Sequence, residues 1–549
     1  MKKYVALLLS FMMVVSMISG CGGNTAPSAA PAPSAAPSEA APVVKDNLGS
    51  AAATSDKAAT AEEVVDTTRD KLTVIIDREP ASLDTAVFVS QYNTQEQINQ
   101  GLLRMTVDGV VEPCLAESWE QVDDLTWKFN LRKDVTFHNG EKFTSADCLY
   151  SFTRLKDFAQ ASASVACIDP EGYECPDDYT FIIKLKEPYA FFENLLCDLY
   201  TCIVNEKAVK DAGSVEEYGR KPVGTGPYKF VSWTAGSSIS LTRNDEYWDK
   251  EDMAKVKNLD IKIVTEDATR TLALESGDSD ITTRLSSEDF TRVKEADKTY
   301  TMAYSTTAVR YLPFNCTREP FTNPDVRRAV AQGIDTQAIW EVVFGATTTE
   351  RAVCPVASGI PGRNTDLVPY EYNPEAAKKA LADAGYPNGF SCNFIYKSGA
   401  QNDMLATLVK EMMAEIGVTL QLEPMESATL NTNLNAGTYD MTTCNAIPVV
   451  ADAGYIMWSL FHGNNGGSTN RSWVNDPELN KLLDEITVTS DAEKRQQLAY
   501  EAQEMLHELC PINYVSHNYE LVGLRSNVRG FDASASRRPL LHRVYFVQE

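Results

Sequence analysis

Between Phe390 and Leu422 the hydrophobic period changes twice, and this constrains the fold more than any other stretch. Phe390, Cys392, Phe394 and Tyr396 alternate with polar neighbours, the period of a half-buried strand. Leu405, Leu408, Val409 and Met412 then recur at helical spacing, with Gly417 as the stop. Val418, Leu420 and Leu422 return to alternation. Strand, helix and strand over ~30 residues form a βαβ unit, whose crossover makes the two strands parallel. The chain is thereby read as α/β, and its 549 residues leave room for two large lobes or three ordinary domains.

The rest of the pattern agrees. Residues 72–76 (Leu-Thr-Val-Ile-Ile) read as a buried strand, and Trp127, Phe129 and Leu131 alternate as a half-buried one. Residues 181–185 and 259–263 read the same way, so the chain is strand-rich to about residue 305. Helices become clear afterwards. Asn323-Pro324-Asp325, Asn373-Pro374-Glu375 and Asp476-Pro477 each place a capping residue before a proline at the first helical position. Ser490-Asp491-Ala492-Glu493 reads as a capping box led by Ser490, ahead of Leu498, Ala502, Met505 and Leu509.

The amino-terminal residues read as an address. Lys2 and Lys3 precede a mostly apolar, uncharged stretch that ends in Ile18-Ser19-Gly20-Cys21. The stretch is shorter than the ~20 apolar residues of a membrane span and matches a secretory signal. Its last four residues resemble a bacterial lipobox, which implies cleavage after residue 20 and a lipid on Cys21. Residues 21–68, rich in Ala, Pro and Ser, carry too little apolar surface to offset the entropy of ordering and read as a disordered tether. The folded part is therefore expected on the extracytoplasmic face of a bacterial cell membrane. Eleven cysteines follow Cys21, with no C-x-x-C among them. Cys167 and Cys175 flank a short turn and are spaced to close a loop; burial as small apolar residues is the competing reading.

Lys and Arg total 50 against 76 Asp and Glu, a net charge of −26, which repels phosphate backbones and speaks against nucleic-acid binding. No zincin, nucleophile-elbow or P-loop pattern occurs, so the chain reads as a non-enzyme. The five histidines are scattered, and neither a metal nor a cofactor is expected. Gly224-Thr225-Gly226-Pro227-Tyr228 has the look of a phosphate loop, but Pro227 lacks the N–H that such a cradle needs, so it is read as a structural turn.

Seven segments in order resemble the family 5 extracellular solute-binding proteins of ABC importers, the oligopeptide- and dipeptide-binding group. They are Pro80-Ala81-Ser82-Leu83-Asp84, residues 113–119, residues 131–140, Val223-Gly224-Thr225-Gly226-Pro227-Tyr228, Leu274-Glu275-Ser276-Gly277, Val326-Arg327-Arg328-Ala329 and Lys481-Leu482-Leu483-Asp484-Glu485. The resemblance implies a two-lobed, type II periplasmic-binding-protein-like fold. Lobe I would be residues 69–308 with an inserted subdomain, lobe II residues 309–510, and residues 511–549 would return to lobe I. It implies a monomer that closes by a hinge around one peptide and hands it to a permease. A non-peptide solute (a nickel complex, an oligosaccharide) and a ligand-sensing receptor are the alternatives.

The resemblance also nominates contacts. Family members that bind free peptides place an aspartate on the ligand's ammonium, in a segment that here runs from Tyr439-Asp440-Met441 to Phe461. Aligned without gaps, Val449 holds the aspartate's place and Asp452 falls on a second acid three residues on. Asp452 then takes the amine after a local shift at Pro448, or no ammonium is held there. Tyr92 and Asn93, after the first strand, and Asn445 and Trp458, in or beside the variable segment, are the other candidate contacts. Trp458 is equally readable as core.

Overall fold

The computed structural model describes residues 63–548 except 88–91, 108, 347, 449 and 535–537. The signal peptide, Cys21, most of the tether and Val449 lie outside the described residues. The βαβ unit forms as its periodicity dictates. Strands Ser391–Lys397 and Thr419–Met425 pair in parallel, joined by the helix Ala400–Glu415, and Gly417 follows that helix at φ +82°.

The largest sheet among the described residues has nine strands. One half carries Tyr228–Thr234, Ser238–Arg243, Asn258–Ile263, Lys71–Ile76 and Ile281–Thr283, with Lys71–Ile76 parallel to both of its neighbours. Two long antiparallel strands, Thr299–Pro313 and Ile512–Arg525, then continue the sheet into the other half, which ends at the short strand Cys444–Ala446. Their ladder breaks register between Ser305 and Val309. On one side of the break, residues 299–305 face 519–525; on the other, 309–313 face 512–517. The fold is two-lobed, and these strands carry the sheet from one half to the other. Their pairing joins segments some 200 residues apart, which local pattern alone does not reveal.

The inserted subdomain is an antiparallel sheet in the order Ala116–Gln121, Thr126–Leu131, Thr180–Leu185, Ile168–Asp177. Trp127, Phe129 and Leu131 point inward, and Phe129 and Phe181 are fully buried with Phe152 of the helix Ser145–Arg154. In the second lobe, Asn323, Asn373 and Asp476 cap the predicted helices through side-chain oxygens. One cap shifts by a residue: Asp491, not Ser490, accepts from the Lys494 amide and starts the helix Ala492–Leu509. A carboxylate at that position outcompetes the hydroxyl because it bears charge at the positive end of the helix.

Two sequence readings gain a cause. The Gly-Thr-Gly turn packs directly under the end of the helix Tyr92–Ile98. A Cβ on Gly224 would overlap the Ile98 carbonyl oxygen, and the Gly226 amide donates to that oxygen at 2.9 Å. Residues 63–68, placed with the tether on composition, lie along the carboxyl-terminal segment: Val65 bridges Val547, and Glu63 pairs with Arg529 at 2.6 Å. Cys167 and Cys175 do not close a loop. Each is a free thiol, as are Cys114, Cys148, Cys316, Cys354, Cys392, Cys444 and Cys510, and Cys175 donates to the Ser145 carbonyl at 3.3 Å.

Candidate binding cavity in the second lobe

The strand Cys444–Ala446 is short because Thr443 and Pro448 bracket it, and proline cannot donate to a ladder. It pairs with residues 309–311 on one side and has no strand partner on the other among the described residues. That edge borders a cavity of about 570 Å³. The helix Ser427–Ala436 contributes Leu430, Asn431 and Leu434; Lys397, Gln401 and Asn402 come from the βαβ unit; Tyr455, Ser459, Thr469 and Arg471 complete the wall. The volume suits a small peptide or a drug-sized solute. The described lining mixes apolar side chains with amide and hydroxyl groups, and Arg310, Lys397 and Arg471 are its charged groups.

Among the candidates from sequence, Asn445 lies on this edge strand. Its Oδ1 accepts from Asn518 Nδ2 at 3.1 Å, and the residue lines the cavity. Tyr92 and Asn93 open the helix Tyr92–Ile98; their side chains lie outside the described residues. Trp458 does not line the cavity. It packs on the second lobe's core with its ring 6.4 Å from Tyr455 and 6.1 Å from His462, the core reading of this residue.

Asp452 has a different occupation from the one expected. It is the N-cap of the helix Ala453–Phe461, with Oδ1 accepting from the Gly454 amide at 2.8 Å and from Tyr455 at 3.3 Å. Oδ2 faces Arg495 Nε at 3.6 Å. Burial pushes the carboxyl above its ordinary range, and Arg495 and the helix amides pull against that shift. Its charge is already committed inside the protein, and it does not line the cavity. Asp452→Ala is therefore expected to cost about 1–2 kcal/mol of stability, as loss of a cap does, read in urea titrations. Affinities for free and N-acetylated peptides should fall equally or not at all. A selective loss for free peptides would return Asp452 to the ammonium.

Sequence reasoning missed Arg310. It interrupts the apolar run Ala308-Val309-Arg310-Tyr311-Leu312, and a charge inside such a strand was the available signal. Its Nε is buried and has no hydrogen-bond partner among the described residues, and the guanidinium sits 4.7 Å from the Phe344 ring centroid. Burial lowers its pKa to about 10, with nearby Cys444 opposing.

Two lobes joined by crossing strands, with a polar-lined cavity beside them, define a binding protein of the type II periplasmic architecture. The chain belongs to the bacterial extracellular solute-binding proteins, family 5: the model described as "family 5 Middle" matches residues 110–468. It is similar to heme-binding protein A of Haemophilus influenzae, 31% identical over 454 residues, covering 77% of this chain and 81% of that one. Among solved structures it resembles HbpA2 of Haemophilus parasuis (TM-score 0.80, 25% identity, 87% of this chain and 99% of that one). It also resembles DppA of Helicobacter pylori in complex with the peptide STSA (TM-score 0.74, 25% identity, the same coverage). These relatives are solute-binding proteins rather than enzymes.

Proposed function

We propose that this protein is the membrane-anchored capture component of an ABC importer, taking a short peptide between its lobes and delivering it to a permease. The observation that carries the reading is the unpaired edge of Cys444–Ala446 on the cavity wall. An extended peptide can add to such an edge as a further strand, so that main-chain hydrogen bonds hold it whatever its side chains are. The complex of a structural relative with a tetrapeptide supports the same class of ligand. The name of the Haemophilus influenzae relative favours a second reading, a non-peptide solute in the same cavity.

The lobes are taken as residues 69–308 and 309–510, with 511–549 returning to the first. The hinge falls at the register break of residues 305–309, opposite 517–519. Few ladder bonds resist bending there; Thr306 Oγ1 instead holds the Asn518 carbonyl at 2.8 Å. A monomer acting alone suffices for capture. Cys21 carries the lipid and the following residues act as its leash, which keeps the monomer on the extracytoplasmic face beside its permease.

Adding trialanine or tetraalanine to the monomer should lower the radius of gyration in small-angle scattering, because hinge closure brings the lobes together. Saturation without any change in the curve would remove the closure mechanism. Absence of binding across tri- to pentapeptides would favour the non-peptide solute.

A further inference from the structure

The cavity beside Cys444–Ala446 has a charge pattern opposite to that of the chain. The protein holds 76 acids against 50 bases, yet among the described residues this lining gathers Arg310, Lys397 and Arg471 and contains no aspartate or glutamate. Arg471 is satisfied in part, since Nη1 donates to Asn435 Oδ1 at 2.8 Å and to the Gly467 carbonyl at 3.4 Å. Arg310 has no such neighbours: its Nε is buried without a partner, and one face of its guanidinium is covered by Phe344.

A guanidinium does not shed its proton near neutral pH, and a buried charge is costly until it is paired. The lining supplies no counter-charge, so it must arrive with the solute. Arg310 also lines the cavity, and a guanidinium is a planar fork whose paired N–H groups match the two oxygens of a carboxylate.

Resting on the solute-binding reading above, we infer that Arg310 recognises a carboxylate of the bound solute, with Lys397 and Arg471 adding attraction from the rim. Specificity in this cavity is then set by an acid group on the solute rather than by its ammonium. That acid is a peptide's carboxyl end or side chain, or the acid group of a non-peptide solute.

Native mass spectrometry with two probe sets tests this. The first is trialanine and tetraalanine with their carboxyl-terminal amides. The second is succinate and citrate, with succinamide as the neutral control. In at least one set the acids should bind wild type at least about 30-fold more tightly than the neutral forms, the loss expected when one partner of a buried charge pair is removed. Arg310→Met should abolish that preference, and Arg310→Lys should restore part of it. Thermal melting of Arg310→Met should match or exceed wild type, because an unpaired buried charge has been removed. If it falls, the Arg310→Lys affinities decide the matter.

Binding of succinate or citrate alone would sustain the role of Arg310 and overturn the peptide reading. Amides that bind as well as acids, or an Arg310→Met protein that keeps the preference, would overturn the role of Arg310 while leaving peptide capture intact. Failure of every probe to bind counts against the inference.

Discussion

Replacing Asp84 by asparagine is expected to lower the folding stability by about 3–5 kcal/mol, a large share of the 5–15 kcal/mol typical of a whole domain. Asp84 ends the Pro80-Ala81-Ser82-Leu83-Asp84 motif and is buried. Both of its oxygens are engaged by Arg154, Nη1 to Oδ1 at 3.1 Å and Nη2 to Oδ2 at 2.6 Å. Oδ1 also accepts from the Ala86 amide. Arg154 closes the helix Ser145–Arg154, so this pair fastens the inserted subdomain to the loop after the first strand. Asparagine keeps the shape and strands the guanidinium without its counter-charge. The double variant Asp84→Asn with Arg154→Met should recover much of the loss, because neither charge is then left alone. Urea titrations of wild type and the two variants measure this; a loss below about 1 kcal/mol in the single variant would deny the pair its structural weight.

Arg327→Met should be comparably damaging, at about 4 kcal/mol. This arginine of the Val326-Arg327-Arg328-Ala329 motif is buried and donates to four backbone carbonyls. It reaches Leu509 at 2.6 and 3.0 Å, Cys510 at 3.2 Å, Phe321 at 2.7 Å and Thr322 at 3.2 Å. Leu509 ends the helix Ala492–Leu509, where exposed carbonyls concentrate negative charge and a cation is favoured. Methionine fills the volume but takes this donor from the buried Phe321 and Cys510 carbonyls, at roughly 1–3 kcal/mol each. Amide exchange around residues 509–513, where the chain enters the long strand back to the first lobe, should rise before exchange elsewhere. Uniform exchange across the second lobe would mean that Arg327 acts on global packing instead.

What the sequence disclosed follows from the range of the forces involved. Helix starts such as Asn323-Pro324 and the alternation of Phe390 to Tyr396 are local effects, so they were legible and formed where expected. The Gly224-Thr225-Gly226 turn was recognised as structural, but the helix end it packs against, some 125 residues earlier, was not visible. The lobe boundary that the resemblance implies at residues 308 and 309 falls inside the long strand Thr299–Pro313, which local pattern did not reveal because its partner lies some 200 residues away. Asn445, named from its place in the variable segment, lies on the cavity wall. Asp452 was read for its charge, although an acid directly before the apolar run of residues 453–461 is a helix-start signal. Arg310, Lys397 and Arg471 come from three separate segments and meet only in the folded chain.

The cysteines give the folded state a second duty. Burial pushes the thiols of Cys167, Cys392, Cys444 and Cys510 up to about 12, and that of Cys114 to about 11. Near neutral pH only about one in 10⁵ of such a group with a pKa of 12 is thiolate, against a few per cent of an ordinary cysteine, and thiolate is the form that oxidises or exchanges. In an oxidising compartment the fold is thus a chemical shield as well as a scaffold. A molecule that opens exposes many thiols at once, and their random cross-linking is faster to make than to undo. Its lifetime there is governed by how often it opens, not by how readily it would refold.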